Sequence, residues 1–252
     1  MSYELIELRC EGDFATITMN SPKRRNALSL KHMLELTDAF REVGESKALG
    51  VILAANGPAF CAGHDFADMV GQDLVAMRHL LNVCTTLMET IQAIPQPVLA
   101  RVHAIATAAG CQLVATCDLA VASTDAAFAT PGGKGGWFCT TPMVAVSRNI
   151  GRKRALEMLL TGDTIHAHTA AEWGLINRVV PRKALDRSVN ELAKTLLDKL
   201  PECMRYAKQQ LNFWRDLSWH ETVGHARDWL SMSMLSDEAK GAIQAFLDRS
   251  KN

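Results

Sequence analysis

Two glycine-centred segments constrain this chain more than any other feature. Pro58-Ala59-Phe60-Cys61-Ala62-Gly63-His64-Asp65 and Ala106-Thr107-Ala108-Ala109-Gly110-Cys111-Gln112-Leu113 each read as a strand leading through small residues into a helix. A turn of this kind leaves main-chain N–H groups unpaired and aimed into a cleft. Two such donors converging on one carbonyl oxygen form an oxyanion hole. The pattern predicts a chain that polarises a thioester or a similar carbonyl.

The remainder must supply a core around those turns. With 252 residues and 48% hydrophobic content, the chain can build one large domain, or one domain with an appendage. Lys+Arg and Asp+Glu number 27 each, so the basic excess of a nucleic-acid binder is missing. Met1 to Arg9 mixes charge with aliphatics and lacks both a signal-length apolar run and Arg/Ser-rich transit character. No apolar run approaches the ~20 residues that span a bilayer. The expectation is a soluble, cytoplasmic protein with neither a membrane nor a nucleic-acid partner. The seven cysteines stand singly, without a CxxC pair, as reduced and mostly buried thiols do. No metal site is expected.

Alternation over Tyr3–Cys10 and Phe14–Met19, around Glu11-Gly12-Asp13, predicts a β-hairpin. Ser29 is the expected N-cap of a helix through about Gly44, with Met33, Leu36, Thr37 and Phe40 on its apolar stripe. Gly50–Ala55 reads as a strand, about 72–94 as a long helix stopped by Pro95 and Pro97, and Val98–His103 as the next strand. Ala104–Ala109 reads as a tight connection into a helix over Gly110–Cys117. Strands follow at Asp118–Ser123 and Ala127–Thr130, then the glycine-rich loop Pro131–Gly136 and a helix opened by Pro142. Helices at about Lys153–Leu160 and Ala167–Trp173 precede a last strand at Leu175–Val180. Everything beyond Pro181 is helical by pattern, which divides the chain into a core at 1–180 and a helical region at 181–252.

The segments Asn20-Ser21-Pro22, Arg25-Asn26-Ala27-Leu28, Phe60–Asp65, Ala109–Leu113, Cys117–Ala122, Phe128–Pro131, Leu160-Thr161-Gly162 and Ala170–Pro181 carry a resemblance through their order and spacing. Together they resemble the enoyl-CoA hydratase/isomerase (crotonase) superfamily over nearly the whole chain. The resemblance implies an α/β fold, a spiral of ββα units with a C-terminal helical region that packs homotrimers, often paired into hexamers. It also implies an acyl-CoA substrate and no cofactor apart from the coenzyme A that the substrate carries. By position, the N–H groups of His64 and Ala109 would hold the thioester oxygen. Substrate contacts would come from Lys23, Arg24, Arg25, Ala27, Ala62, His64, Asp65, Phe66, Ala109, Gly110, Pro131 and Phe246.

The resemblance also marks a departure. The two glutamates that hydratases of this family use to position and deprotonate water would fall at Gln112 and Gly132. An amide holds water but is no base at neutral pH, and glycine offers nothing. A further position used by some members reads Cys139-Thr140-Thr141-Pro142, again without a carboxylate. His64 is either a general base or only a main-chain donor with its ring toward coenzyme A or solvent. Asp65 is expected to cap or fix its loop, His103 to be a satisfied strand-end histidine, His79 to be solvated or packed, Lys134 to be solvated and Cys139 to be a buried thiol. Lys23, Arg24 and Arg25 are either phosphate contacts or a solvated turn, and Phe246 either meets the adenine or packs. Three functions fit: a hydratase-like lyase, enolate chemistry without a protein base such as decarboxylation, or a non-catalytic acyl-CoA-binding scaffold.

Overall fold

The computed structural model describes residues 3–199 and 201–249. In chain order, β1 (Ile6–Glu11) and β2 (Phe14–Met19) lead to α1 (Leu30–Glu45), β3 (Gly50–Ala55), α2 (Leu74–Ala93) and β4 (Val98–Val102). Next come β5 (Ala106–Thr107), α3 (Ala109–Thr116), β6 (Leu119–Ser123), β7 (Ala127–Ala129), α4 (Thr140–Asn149) and α5 (Arg152–Thr161). The chain continues through β8 (Ile165–His166), α6 (Ala167–Trp173), β9 (Arg178–Val180), α7 (Leu185–Leu197), α8 (Pro201–Trp214), α9 (Trp219–Ser233) and α10 (Asp237–Arg249).

A six-stranded sheet runs β1-β2-β3-β4-β6-β9, with the β1–β2 hairpin antiparallel and every later pairing parallel. Its central strands are covered on both faces. Residues 98, 100 and 102 of β4 and 120 and 122 of β6 enter the main core, while Leu99 and Val121 enter a second cluster with Ile52 of β3. That second cluster is closed by Leu185, Val189 and Leu192, one stripe of α7. On the other face α1 buries Met33, Leu36, Thr37 and Phe40, as its pattern predicts, and the Ser29 hydroxyl accepts the His32 N–H at its N-terminus.

A small second sheet, β5-β7-β8, sets the spiral. β4 and β6 are each followed by one strand of the small sheet, β5 and β7, before the next helix, and after β3 the bridge residue Cys61 takes that place. Cys61 bridges Ala106 in parallel, and Ala106 pairs with Phe128 in parallel. Three successive turns are therefore stacked in one register.

Several details differ from the sequence reading. β5 and β8 are two residues each, too short to show a period. The last strand starts at Arg178 because Gly174 (φ +89°) and Leu175 close α6, their N–H groups bonding Ala171 and Ala170 carbonyls. The Pro131–Gly135 stretch winds into a 3-10 turn. The first glycine segment enters a short 3-10 turn at Phe66–Asp68, with α2 beginning only at Leu74.

The chain forms two compact units, one ending at Lys208 and one beginning at Gln209. The expected division at 180/181 falls earlier than this, since α7 lies on the large sheet. In the second unit, Ser218 and Glu221 form a capping box on α9. Leu211, Trp219, Leu230, Leu235 and Phe246 are exposed.

Lys208 ends the first unit with a buried clamp. Its Nζ donates to Asp118 Oδ2 (2.8 Å), the Ile91 carbonyl (2.7 Å) and the Gln96 carbonyl (2.8 Å), which uses all three ammonium donors. Asp118 Oδ2 also accepts the Val98 N–H at 2.7 Å. Burial pushes the Asp118 carboxyl up and the Lys208 ammonium down, and their contact opposes both shifts. Asp118 keeps part of its surface in water, so Lys208→Met leaves a partly solvated carboxylate and two carbonyls without their donor, and lowers unfolding free energy by about 1–3 kcal/mol. A urea midpoint that stays at the native value contradicts this account of the clamp.

Candidate oxyanion site

The shared register brings the two glycine-centred segments together. His64 lies three residues beyond Cys61, and Ala109 lies three beyond Ala106, its bridge partner. A Cβ built on Gly63 would stand 3.3 Å from Ala109 N, 3.0 Å from the Thr107 carbonyl and 2.9 Å from Ala108 Cβ. His64 N is two bonds from the Gly63 Cα, so the nitrogens of residues 64 and 109 lie within about 7 Å of one another. Neither N–H donates to a described residue, although the amides of Leu28, Asp65, Thr107, Ala108 and Gln112 around them are all paired.

Two backbone features hold this approach. Gly63 has φ +88°, and any side chain there would enter the Thr107–Ala109 backbone. Ala108 has φ +51° and ψ −120°, a conformation that favours glycine and costs an L-residue about 1–3 kcal/mol. That twist separates the end of β5 from the start of α3. Gly110 packs directly on the Cys61 backbone, where an added Cβ would collide with the Cys61 carbonyl.

The 21–28 loop is fastened to the first segment by Asn26, which sequence reasoning did not single out. Its side chain accepts from Ser21 N (2.9 Å) and donates to the carbonyls of Asn56 (2.8 Å) and Ala59 (2.9 Å), fully buried at φ +52°. The Ala62 N–H bonds the Arg25 carbonyl, and His32 Nδ1 meets the Ala27 carbonyl at 3.0 Å. Within the basic cluster the roles divide. Arg24 grips Asp65 through Nε (3.1 Å) and Nη2 (2.5 Å), and this holds the Asp65 carboxyl below the usual carboxylate range. Asp65 also caps the Phe66–Asp68 turn by accepting the Ala67 N–H. Lys23 and Arg25 are exposed.

At the expected acid–base positions, the Gln112 side chain is 7% exposed and its Oε1 has no partner. Gly132 is buried, and a Cβ there would lie 2.9 Å from Cys139 N and Sγ and 3.0 Å from Trp137 Cδ1. A glutamate therefore does not fit at 132 unless Cys139 and Trp137 move. The Gly132 N–H donates to Cys139 Sγ (3.2 Å), and burial pushes this thiol up, as it pushes Cys61 and Cys111 up to about 12. None of the three is a ready thiolate.

The His64 ring does not face solvent: both ring nitrogens are buried without a hydrogen bond, and burial pushes its pKa down. The Leu28 carbonyl opposes that shift without reaching hydrogen-bond geometry. His103 is a strand-end histidine that is only half satisfied: its Nε2 lies 2.8 Å from the Gly57 carbonyl, while its Nδ1 is buried without a partner among the described residues; His79 is exposed. Lys134 is exposed but paired with Asp163 at 2.6 Å. Pro131 opens its 3-10 turn. Phe246 belongs to the second unit, on α10, with its ring exposed. A polar cleft of about 180 Å³ at Gly57, Arg101, His103 and Arg182 is a separate feature. Its arginines pair with Asp186 and Asp125.

A sequence profile described as "Enoyl-CoA hydratase/isomerase" matches residues 9–252. The chain is 43% identical over 194 residues to enoyl-CoA hydratase domain-containing protein 3, mitochondrial, of Rattus norvegicus, covering 76% of this chain. It spans only 65% of that relative's length. The Danio rerio protein of the same name is 39% identical over 249 residues, 96% of this chain and 84% of the relative. Among solved structures, an enoyl-CoA hydratase of Mycobacterium smegmatis superposes with a TM-score of 0.95 at 40% identity, covering 98% of this chain and 97% of the other. The cytoplasmic expectation rested on the composition of Met1–Arg9. The rat and zebrafish relatives are named as mitochondrial proteins, and that finding overturns it. No helix among the described residues is long and apolar enough to cross a membrane.

Burial depresses the pKa of His32, His64 and His103. The unfolded chain binds these protons near pH ~6.5, the folded chain only at lower pH. Their contribution to stability is thus complete above pH ~6.5 and is lost as pH falls through the depressed values. Asp65, held low by Arg24, adds a loss of the same sign at lower pH. The urea midpoint should drop between pH 7.5 and 5.5, and His103→Gln should narrow the drop. An equal drop in native and variant proteins counts against His103 as a contributor.

Proposed function

The chain belongs to the enoyl-CoA hydratase/isomerase family, and from that premise we propose that it binds an acyl-CoA thioester and holds the thioester oxygen between the N–H groups of His64 and Ala109. The observation that carries this reading is the pair of unpartnered main-chain donors, set side by side by one register and braced by Gly63 and Ala108. Negative charge that builds on the oxygen as an enolate forms would meet both donors and the N-terminus of α3. Lys23 and Arg25 are free to meet coenzyme A phosphates, while Arg24 keeps Asp65 in place. Ala27, Ala62, Gly110 and Pro131 would flank the thioester arm.

The reaction is hydratase-like, with Gln112 holding water in place of the first glutamate and no side chain in place of the second. General acid–base groups typically contribute 10²–10⁴-fold each, so hydration of a 2-enoyl-CoA runs far below a two-glutamate enzyme. The crowding at Gly132 also favours a second reading, an enolate made without a protein base. In a carboxylated acyl-CoA the bond to the carboxylate breaks, CO₂ leaves, and the electron pair enters the enolate held by the two amides. The exposed apolar side chains of the second unit support assembly as homotrimers or pairs of trimers, with Phe246 near the adenine of a neighbouring copy's ligand. Light scattering should return three or six times the 27.6 kDa chain mass.

Ala109 is the first residue of α3, where a missing N–H breaks no helix hydrogen bond, so Ala109→Pro deletes one donor, and circular dichroism checks that the strained Ala108 before it still permits folding. With crotonyl-CoA and a malonyl-type thioester as alternative substrates, the variant should lose about 10²–10³-fold in kcat on whichever the native protein turns over. Full turnover by a folded Ala109→Pro protein eliminates this amide as a donor. Thioester binding without turnover by the native chain leaves a binding protein, not an enzyme.

A further inference from the structure

Trp137 stands where the second glutamate of a hydratase would reach. The loop before it is built from Gly132, Gly133, Gly135 and Gly136 around Lys134. Its indole lies across this backbone: a Cβ at Gly132 would stand 3.0 Å from Cδ1, and one at Gly135 would strike the six-membered ring. Gly132 and Gly135 thus form a seat in which an added side chain would meet the indole. Phe66, two residues past His64, meets the indole edge-on, with centroids 5.4 Å apart and planes at 84°. The pair ties the segment bearing one unpartnered amide to the loop that follows β7, and the Ala129 carbonyl of β7 is bonded by Ala108 N, next to the other amide. Both rings remain exposed, Phe66 at 57% and Trp137 at 53%, and Phe138 adds a third exposed ring.

We propose that Trp137, with Phe66, is the acyl-recognition wall of this site, selecting thioesters whose acyl chain is apolar and several carbons long over two-carbon or carboxylated acyl groups. The proposal rests on the thioester reading above. An exposed, well-seated aromatic pair gains by covering its faces with hydrocarbon and loses little freedom in doing so. A carboxylate laid on it would be desolvated without compensation, since the loop's own cation, Lys134, is engaged by Asp163. Selectivity of this kind favours the hydratase-like reading over decarboxylation.

The test measures the affinity of the full chain for coenzyme A, acetyl-CoA, octanoyl-CoA and malonyl-CoA by calorimetry, in native, Trp137→Ala and Trp137→Phe proteins. The native protein should prefer octanoyl-CoA to acetyl-CoA by about tenfold or more. Trp137→Ala should erase most of that preference while coenzyme A affinity holds, and Trp137→Phe should keep it. Equal affinity for the two chain lengths, tighter binding of malonyl-CoA, or an undiminished preference in Trp137→Ala overturns the proposal and leaves the thioester reading standing. Absence of binding by coenzyme A and every thioester overturns the thioester reading with it. If Trp137→Ala alone loses coenzyme A and its circular dichroism, the octanoyl preference of Trp137→Gln decides.

Discussion

Parallel pairing in the small second sheet is the constraint on which the site depends. Cys61, Ala106 and Phe128 sit in one row, and the chain leaves that row three times with the same offset. His64, Ala109 and Pro131 are the residues reached three positions later. A slip of one residue in either pairing would turn the leaving segment to the other face and separate the two amides. The large sheet and its helices matter to the site mainly because they hold this register. β3 and β4 align Val51 with Val98, and β4 and β6 align Leu99 with Leu119, so each turn of the spiral begins level with the last.

Leaving two amides unpaired at the end of that row runs against the rule that interior backbone groups find partners. The chain accepts backbone strain to do it. Gly63 and Ala108 both have positive φ, and they face each other across the narrowest part of the approach. Glycine takes its conformation freely, whereas Ala108 does not. Strain of this kind persists only where the surroundings over-determine it. Ala108 N is tied to the Ala129 carbonyl, its own carbonyl accepts Gln112 N, and Gly110 is pressed onto Cys61. The same packing that holds the twist leaves both amides without a bond to any described residue.

Much of this was legible in the residues. The apolar strand Gly50–Ala55, the stripe and cap of α1 and the helix Ala167–Trp173 follow from period, cap and turn chemistry over six or more residues. The glycine segments were legible as turns because small residues flank each glycine. Their convergence was not, since it rests on β5, a strand of two residues with no period to read. The clamp at Lys208 was also hidden: it joins residues 91, 96, 118 and 208, and a lysine in an amphipathic helix reads as solvated. Trp137 received no role from the sequence. The signal was present in Gly132 and Gly135 before it, because backbone without side chains is what lets an indole lie across its own loop.

Gln112 and Gly132 are best understood together rather than as two separate losses. A lone change at 112 would leave a site with one carboxylate and room for another. Here the second position is filled from behind: Cys139 takes the Gly132 N–H, and Trp137 covers the backbone that a side chain would use. Restoring a carboxylate at 132 requires emptying that space first. The buried Gln112 Oε1 remains without a protein partner and is matched only by something that enters the site. Positions 112 and 132 therefore present a neutral amide and a backbone covered by an indole, beside two main-chain amides that bond no described residue. A site of that composition can stabilise charge on a bound carbonyl and recognise what is attached to it. Neither residue 112 nor residue 132 supplies a side chain that can take a proton at neutral pH.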